Sequence, residues 1–551
     1  MTTLNQLDAN LIGRGIGMLN LIQRVAFATV LVGAETVLAQ HPSYTLLSAE
    51  IIDSPIRAQI EAISTIRTTS SIVVLDVVVT DSKGNLVQRK LSQNDFEVFE
   101  DGVPQIINSF EPPDKHELPV KDKEIVVSAS DLKEIGNSPV TILVLDELNS
   151  RFEDMSYSRQ MLIKYLQSQP EILRQPTVVM LATNRSFQQL HDYTQRRNEL
   201  IAAVKKHMPE YPWRMMKSGK GGPGAVERMG QVLAALQQIA QSSTGTAGRK
   251  NLIWVGNGFP TVDLVALEEK QAGTLEAAIR RCTSRLLAAH VTMYIVNPAA
   301  TSSATIDIQS PDDLSSGLTE NGADPFNSGE VSFLNFAPST GGISFTGRND
   351  LNNVIKEGVN KGQEYYSISY SPSNKSTDTS TYRKIRIRMS DPSLRATTRG
   401  GYYQENTEDL DRLADKTTSY KQVKASLEME LSAAIVSRIS YNGLSVVAEE
   451  SSDEQYLIHV AEKGLAWSDP VASTSQHSEA TVGAAWYYSK GILLGHIFRE
   501  EVFPRGQVGT GAIYSLPIAL PVGAARLRFV VRDALNGEIG TFDIDNLSRS
   551  K

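Results

Sequence analysis

The side chains best placed to do chemistry stand directly behind an apolar run. Residues 140–145, Val-Thr-Ile-Leu-Val-Leu, are followed at once by Asp146, Glu147, Leu148, Asn149 and Ser150. A carboxylate, an amide and a hydroxyl so close together can hold a polar ligand. Asp146 and Glu147 are neighbours in sequence, so their side chains diverge, which argues against a paired general acid and base. The eight histidines are scattered and show no His-Glu-x-x-His or comparable metal spacing. His191 falls on an expected edge strand with no cysteine or serine constellation around it. The glycine-rich stretch 219–224 lacks both the preceding strand and the Gly-Lys-Ser/Thr ending of a phosphate-binding loop, and reads as a flexible connector. Cys282 lies on the apolar stripe of its helix and reads as a small buried hydrophobe. A nucleophile, base and orienter set is not legible, so a non-enzymatic chain is expected.

The elements that must position Asp146, Asn149 and Ser150 can be read around them. An unbroken, β-branched run is the pattern of a strand buried on both faces of a parallel sheet. Tyr157, Met161 and Tyr165 then recur at helical spacing. Strand, polar turn and helix open a doubly wound α/β fold, in which ligands bind at the carboxyl ends of the strands. Further buried strands are expected at 177–183, 251–255, 291–296 and 365–370, with an antiparallel edge at 187–193. Helices are expected at 195–207, 225–241, around Leu275 to Leu286, and at 350–361. Before this domain, 71–112 reads as a small antiparallel β module, with Asp101-Gly102 as its tight turn. The α/β domain is assigned 138–403, a linker helix 404–439, and a β-sandwich 440–547, where Arg526 to Arg532 alternates with Leu527, Phe529 and Val531 inward.

Length and composition agree with several domains of ordinary globular character: 551 residues, 41% hydrophobic and 21% charged. A net charge of −8 with no basic stripe argues against nucleic acid as a partner. One cysteine excludes an internal disulfide framework. Residues 1–39 read as an export signal: Arg14 and Arg24 precede the apolar run 25–33, and Val37-Leu38-Ala39 resembles a cleavage site before Gln40. An amphipathic N-terminal helix of a cytosolic protein is the alternative. Beyond that segment no 18 consecutive apolar residues occur, so no membrane span is expected in the mature chain, which would be periplasmic or extracellular.

Four stretches together resemble the bacterial von Willebrand factor A-related family of acidobacterial type. They are residues 75–81 with 95–102; residues 145–150; residues 249–255 with Gly258-Phe259-Pro260; and Thr340-Gly341-Gly342 with 365–370. The resemblance spans about 71–403 and implies a von Willebrand factor A-like α/β domain that binds proteins, often through a metal-ion-dependent adhesion site. In such a site Asp146 and Ser150 hold the outer positions of the first loop, but Leu148 replaces its middle serine. The second loop, 219–224, offers no hydroxyl, and Asn257 stands where an aspartate belongs.

Mg²⁺ requires six oxygens in near-ideal octahedral geometry, usually with carboxylates carrying the charge. With these three departures a degenerate site is expected: Asp146 and Ser150 as residual metal ligands, and Asp146, Asn149, Ser150 and Asn257 as the ligand-binding surface. No cofactor is expected, and Mg²⁺ is kept open. Asp146 as a cap of the following helix is the structural alternative. The function so implied is that of an exported protein-binding or adhesion-type module. A cell-envelope hydrolase or processing enzyme, or a structural surface component, is the rival.

Overall fold

The computed structural model describes residues 72–118, 126–208, 223–298, 326–373, 382–403, 430–468 and 476–547, with short breaks inside several of these ranges. The expected signal segment, most of the glycine-rich loop at 219–224 and residues 404–429 of the expected linker helix lie outside the described residues; 430–435 are helical. Among the described residues no helix is long and apolar enough to cross a membrane.

The chain enters through β1 (Val73–Asp81), β2 (Phe96–Glu100), β3 (Val103–Gln105) and β4 (Ile107–Glu111). Asp101 and Gly102, at the β2–β3 turn, both have positive φ, 50° and 81°, which a tight primed hairpin turn requires. The doubly wound domain follows. Its strands are β5 (Val140–Asp146), β6 (Ile172–Ala182), β7 (Phe187–Arg196), β8 (Lys250–Val255), β10 (Val291–Val296) and β12 (Ser344–Phe345). A short antiparallel pair, β9 (Val262–Asp263) with β11 (Glu330–Val331), lies beside it. The helices are α1 (Phe152–Gln167), α2 (Arg197–Lys206), α3 (Pro223–Ser243), α4 (Glu269–Ala288) and α5 (Leu351–Gln363).

The six-stranded sheet runs β12-β10-β8-β5-β6-β7, parallel except for the antiparallel edge β7. Alternate side chains of each strand enter different cores. Ile142, Val144, Leu252, Trp254 and Ile295 face α3 and α4. Leu143, Leu145, Ile253, Val255 and Val296 face α1, α2 and α5. Two wet-free faces explain the unbroken apolar runs in the sequence. The chain goes from β5 to β6 on one side and returns to β8 on the other. The strand order therefore reverses between β5 and β8, where this class of fold binds its ligands.

The end of the expected α/β domain belongs elsewhere. β13 (Tyr366–Tyr370), β14 (Tyr382–Met389), β15 (Leu394–Thr397) and β16 (Gly401–Tyr403) complete the N-terminal module as two four-stranded sheets, β15-β1-β13-β4 and β16-β14-β2-β3. The assignments of 71–112 and 138–403 are corrected accordingly: residues 366–403 pair with the first strands of the chain. The physical reason is the period-2 pattern of β13. Its Tyr366, Ile368 and Tyr370 join Val73, Leu75, Val77 and Phe96 in one core, whereas a strand inside the parallel sheet would bury both faces.

The C-terminal sandwich pairs β17 (Val446–Ser452), β18 (Gln455–Val460) and β21 (Ala512–Pro517) in one sheet. Its second sheet runs in the order β20 (Leu493–Pro504), β19 (His477–Tyr487), β22 (Arg526–Asp533), β23 (Ile539–Asp545). Leu527, Phe529 and Val531 of β22 face the core between the sheets, as expected, and Phe529 meets Tyr456 at 5.4 Å between ring centroids. The opposite face is not wet. Arg528 is completely buried, ion-paired with Asp543 at 2.9 Å and donating to the carbonyl of Ile439. Val530, Ala485 and Tyr487 are continuous with Leu431, Ile435 and the apolar face of α3 and α4. Glu430 bridges Arg285 of α4 and Arg532 of β22, at 3.1 Å each. The sandwich is thus docked on the α/β domain rather than free-standing.

Candidate functional site

Asp146 ends β5 and is fully buried at the point where the strand order reverses. Its Oδ1 accepts the main-chain N–H groups of Leu148 and Asn149, both at 3.0 Å. Its Oδ2 accepts the N–H of Gly258 at 2.7 Å and the indole Nε1–H of Trp254 at 3.3 Å. A carboxylate has about four lone-pair positions, and all four are taken by protein donors. Burial pushes this carboxyl up to about 6, with the N–H donors of Asn149, Gly258, Trp254 and Leu148 pulling the other way. Asp146 caps the turn over 147–149 and pins the loop after β8. It does not cap α1, whose N-cap is Arg151.

That loop needs its glycines. Gly256 has φ 154°, and a Cβ there would stand 2.2 Å from Asp146 Cβ. Gly258 has φ 64°, and a Cβ there would enter the ring of Phe333 at 1.9 Å. Neither position admits a side chain while the Gly258 N–H reaches Asp146.

Around this organising carboxylate several polar atoms are buried without partners among the described residues: Asn149 Oδ1 and Nδ2, Ser150 Oγ, Asn257 Oδ1 and Glu147 Oε2. Each such atom costs roughly 1–3 kcal/mol relative to a hydrogen-bonded one. Leu148, in place of the expected middle serine, packs against the core shared with α3 and α4. Sequence reasoning named Asn149, Ser150 and Asn257 and missed Glu147. The Glu147 side chain turns away from Asp146, as adjacent residues do, and its Oε1 lies 2.8 Å from Nε2 of His207 just past α2. Both are largely buried. Sixty positions separate the pair, and no spacing rule in the sequence reveals it.

Among the described residues, the donors around Asp146 do not fit Mg²⁺. Asp146 has no free lone pair. Ser150, Asn149 and Asn257 would bring only neutral oxygens, and the unpartnered oxygen of Glu147 belongs to a carboxylate already held by His207. Among the described residues no group of three or more His, Cys, Asp or Glu side chains is arranged for a metal ion. The remaining candidates have structural settings. His191 Nδ1 lies 2.8 Å from the carbonyl of Asp192, and Cys282 is completely buried, its thiol pushed up to about 12 by desolvation.

No protein-family model and no curated protein matches the chain. Among solved structures, the SpRpn10 VWA domain is a partial neighbour. It is 14% identical, with 41% of this chain and 96% of that chain covered, at a TM-score of 0.21. Superoxide reductase from Giardia intestinalis is 16% identical over 18% of this chain and 94% of its own, at a TM-score of 0.13. Bacteroides uniformis β-glucuronidase is 15% identical over 19% of this chain and 13% of its own, at a TM-score of 0.11. At these TM-scores the likenesses carry no argument about function.

Proposed function

We propose that the chain is an exported, protein-binding module of adhesion type, whose α/β domain presents Asn149, Ser150, Asn257 and Glu147 to a protein ligand without a metal ion. One observation supports this most directly: unpartnered, buried polar atoms gather at the reversal point between β5 and β8. A native protein pairs nearly all such groups, so a cluster of exceptions at a strand-end crest is where a partner's donors and acceptors would enter. Asp146 then acts as a scaffold. It holds the two loops in register and contributes no contact of its own, which revises the role that its sequence position suggests. The rival readings, a cell-envelope hydrolase or processing enzyme or a structural surface component, draw less support from this crest. The Glu147–His207 pair supplies an acid and a base, but among the described residues no nucleophile is hydrogen-bonded to either.

The test is affinity capture with the exported chain, run in parallel with the Asn149→Ala, Asn257→Ala double variant. These two side chains make no hydrogen bond among the described residues, so folding should persist and the captured partner should be lost. A partner retained at equal yield by the folded double variant would place the binding surface elsewhere.

A further inference from the structure

A second constellation lies in the C-terminal sandwich, at the start of β19. Ser468 and His477 face each other across backbone hydrogen bonds: the Ser468 N–H donates to the His477 carbonyl at 2.8 Å, and the His477 N–H donates to Ser468 Oγ at 3.0 Å. The second bond fixes Oγ at 2.9 Å from Nδ1 of the His477 ring. On the other side of the ring, Nε2 lies 3.0 Å from Glu479 Oε1. An ionised carboxylate can only accept, so the neutral ring carries its proton on Nε2. Nδ1 is then a bare acceptor, and the Ser468 hydroxyl donates to it. Hydroxyl, imidazole and carboxylate are joined in the order nucleophile, base, orienter.

The surroundings suit the same chemistry. The His477 side chain is 34% exposed and that of Glu479 14%, so the base is reachable from solvent while its orienter is shielded. Two buried N–H groups of neighbouring residues have no partner among the described residues: the indole of Trp467, next to the serine in sequence, and Nε of Arg505. The Arg505 guanidinium lies 5.2 Å from the centre of the Trp467 ring, and its main-chain N–H donates to Gln476, the residue before the histidine.

We propose that Ser468, His477 and Glu479 form a hydrolytic site for acyl esters, separate from the α/β crest. Ser468 Oγ forms a bond to the ester carbonyl carbon while its proton passes to His477 Nδ1. Collapse of the tetrahedral adduct breaks the carbon–oxygen bond to the leaving alcohol, which takes that proton. Water then adds to the acyl-serine by the same route and releases the carboxylic acid and the free hydroxyl. Glu479 holds Nε2–H throughout and stabilises the imidazolium. This activity does not depend on the binding proposal, and either can fail alone.

The test uses the full chain with a biotinylated fluorophosphonate and with p-nitrophenyl acetate. Modification should map to Ser468, and Ser468→Ala should lower ester hydrolysis by about 100-fold or more, the usual range for losing base-assisted attack. Because that variant also removes an acceptor for the His477 N–H, a second one guards against misfolding. In Ser468→Cys, alkylation of residue 468 by iodoacetamide at pH 7 should be about 10-fold faster than in Ser468→Cys, His477→Asn, the base having been removed. Cys282 is buried with its thiol pushed up to about 12, so it does not compete. Absence of fluorophosphonate from Ser468, equal hydrolysis by Ser468→Ala and the unaltered chain, or equal alkylation with and without His477 would each overturn the proposal.

Discussion

The main-chain N–H of Gly258 donates to Asp146 Oδ2 at 2.7 Å, and this contact ties the loop after β8 to the loop after β5. It makes the carboxylate part of the fold. The side chain that most resembles a ligand in the sequence is consumed in holding the crest together.

Asp146→Ala should therefore act on stability first. It would leave the N–H groups of Leu148, Asn149, Gly258 and Trp254 unpaired in a buried site, at a combined cost of about 3 kcal/mol or more. Urea unfolding would measure it. Mg²⁺ or EDTA should leave the melting temperature of the unaltered chain unchanged. A ligand at a hundred times its dissociation constant would add about 2.7 kcal/mol, so a clear Mg²⁺-dependent rise would show that the degenerate site still binds metal.

The same carboxyl gives a pH signature with an unusual sign. Its native value, about 6, lies above the unfolded value of about 3.9, so between these the native state holds more protons than the unfolded one. Stability from this group is full below pH 4, falls as pH rises to 6, and is level above. Asp146→Asn should flatten that slope in unfolding experiments run from pH 4 to 7. An unchanged slope would show that Asp146 titrates normally.

Lys250 predicts the opposite slope at higher pH. It is completely buried at the start of β8, and desolvation lowers its ammonium to about 7, with Asp76 opposing. The ordinary value for a lysine is about 10.4, so from pH 7 to 10 the unfolded chain binds more protons and stability rises with pH. In Lys250→Met that rise should vanish, with the fold retained. A parallel pH dependence in both proteins would exclude Lys250 as its source.

Phe529 is fully buried between the two sheets of the sandwich. Phe529→Ala should cost about 3–5 kcal/mol by denaturant unfolding. Because Val530, Ala485 and Tyr487 complete a core with the α/β domain, the loss should appear in the unfolding of both domains together. A cost under about 1 kcal/mol would contradict the burial of this face.

What the sequence determined by itself was local. Apolar pattern and turn chemistry located the strand at 140–145, the helix after it, the antiparallel edge at 187–193 and the inward set Leu527, Phe529 and Val531, because each follows from a local apolar run or a repeat of 2.0 or 3.6 residues. The strand-end location of Asp146, Asn149, Ser150 and Asn257 was legible for the same reason. Tertiary structure decided what those residues do. Pairing of β13 with β1, 290 or so residues away in sequence, moved 366–403 into the N-terminal module. Trp254 and Gly258 filled the lone pairs of Asp146, and His207 claimed Glu147. Docking buried Arg528 on a face that its alternation marks as wet. Partners distant in sequence leave no periodicity behind, so only the folded chain shows which polar groups are already satisfied.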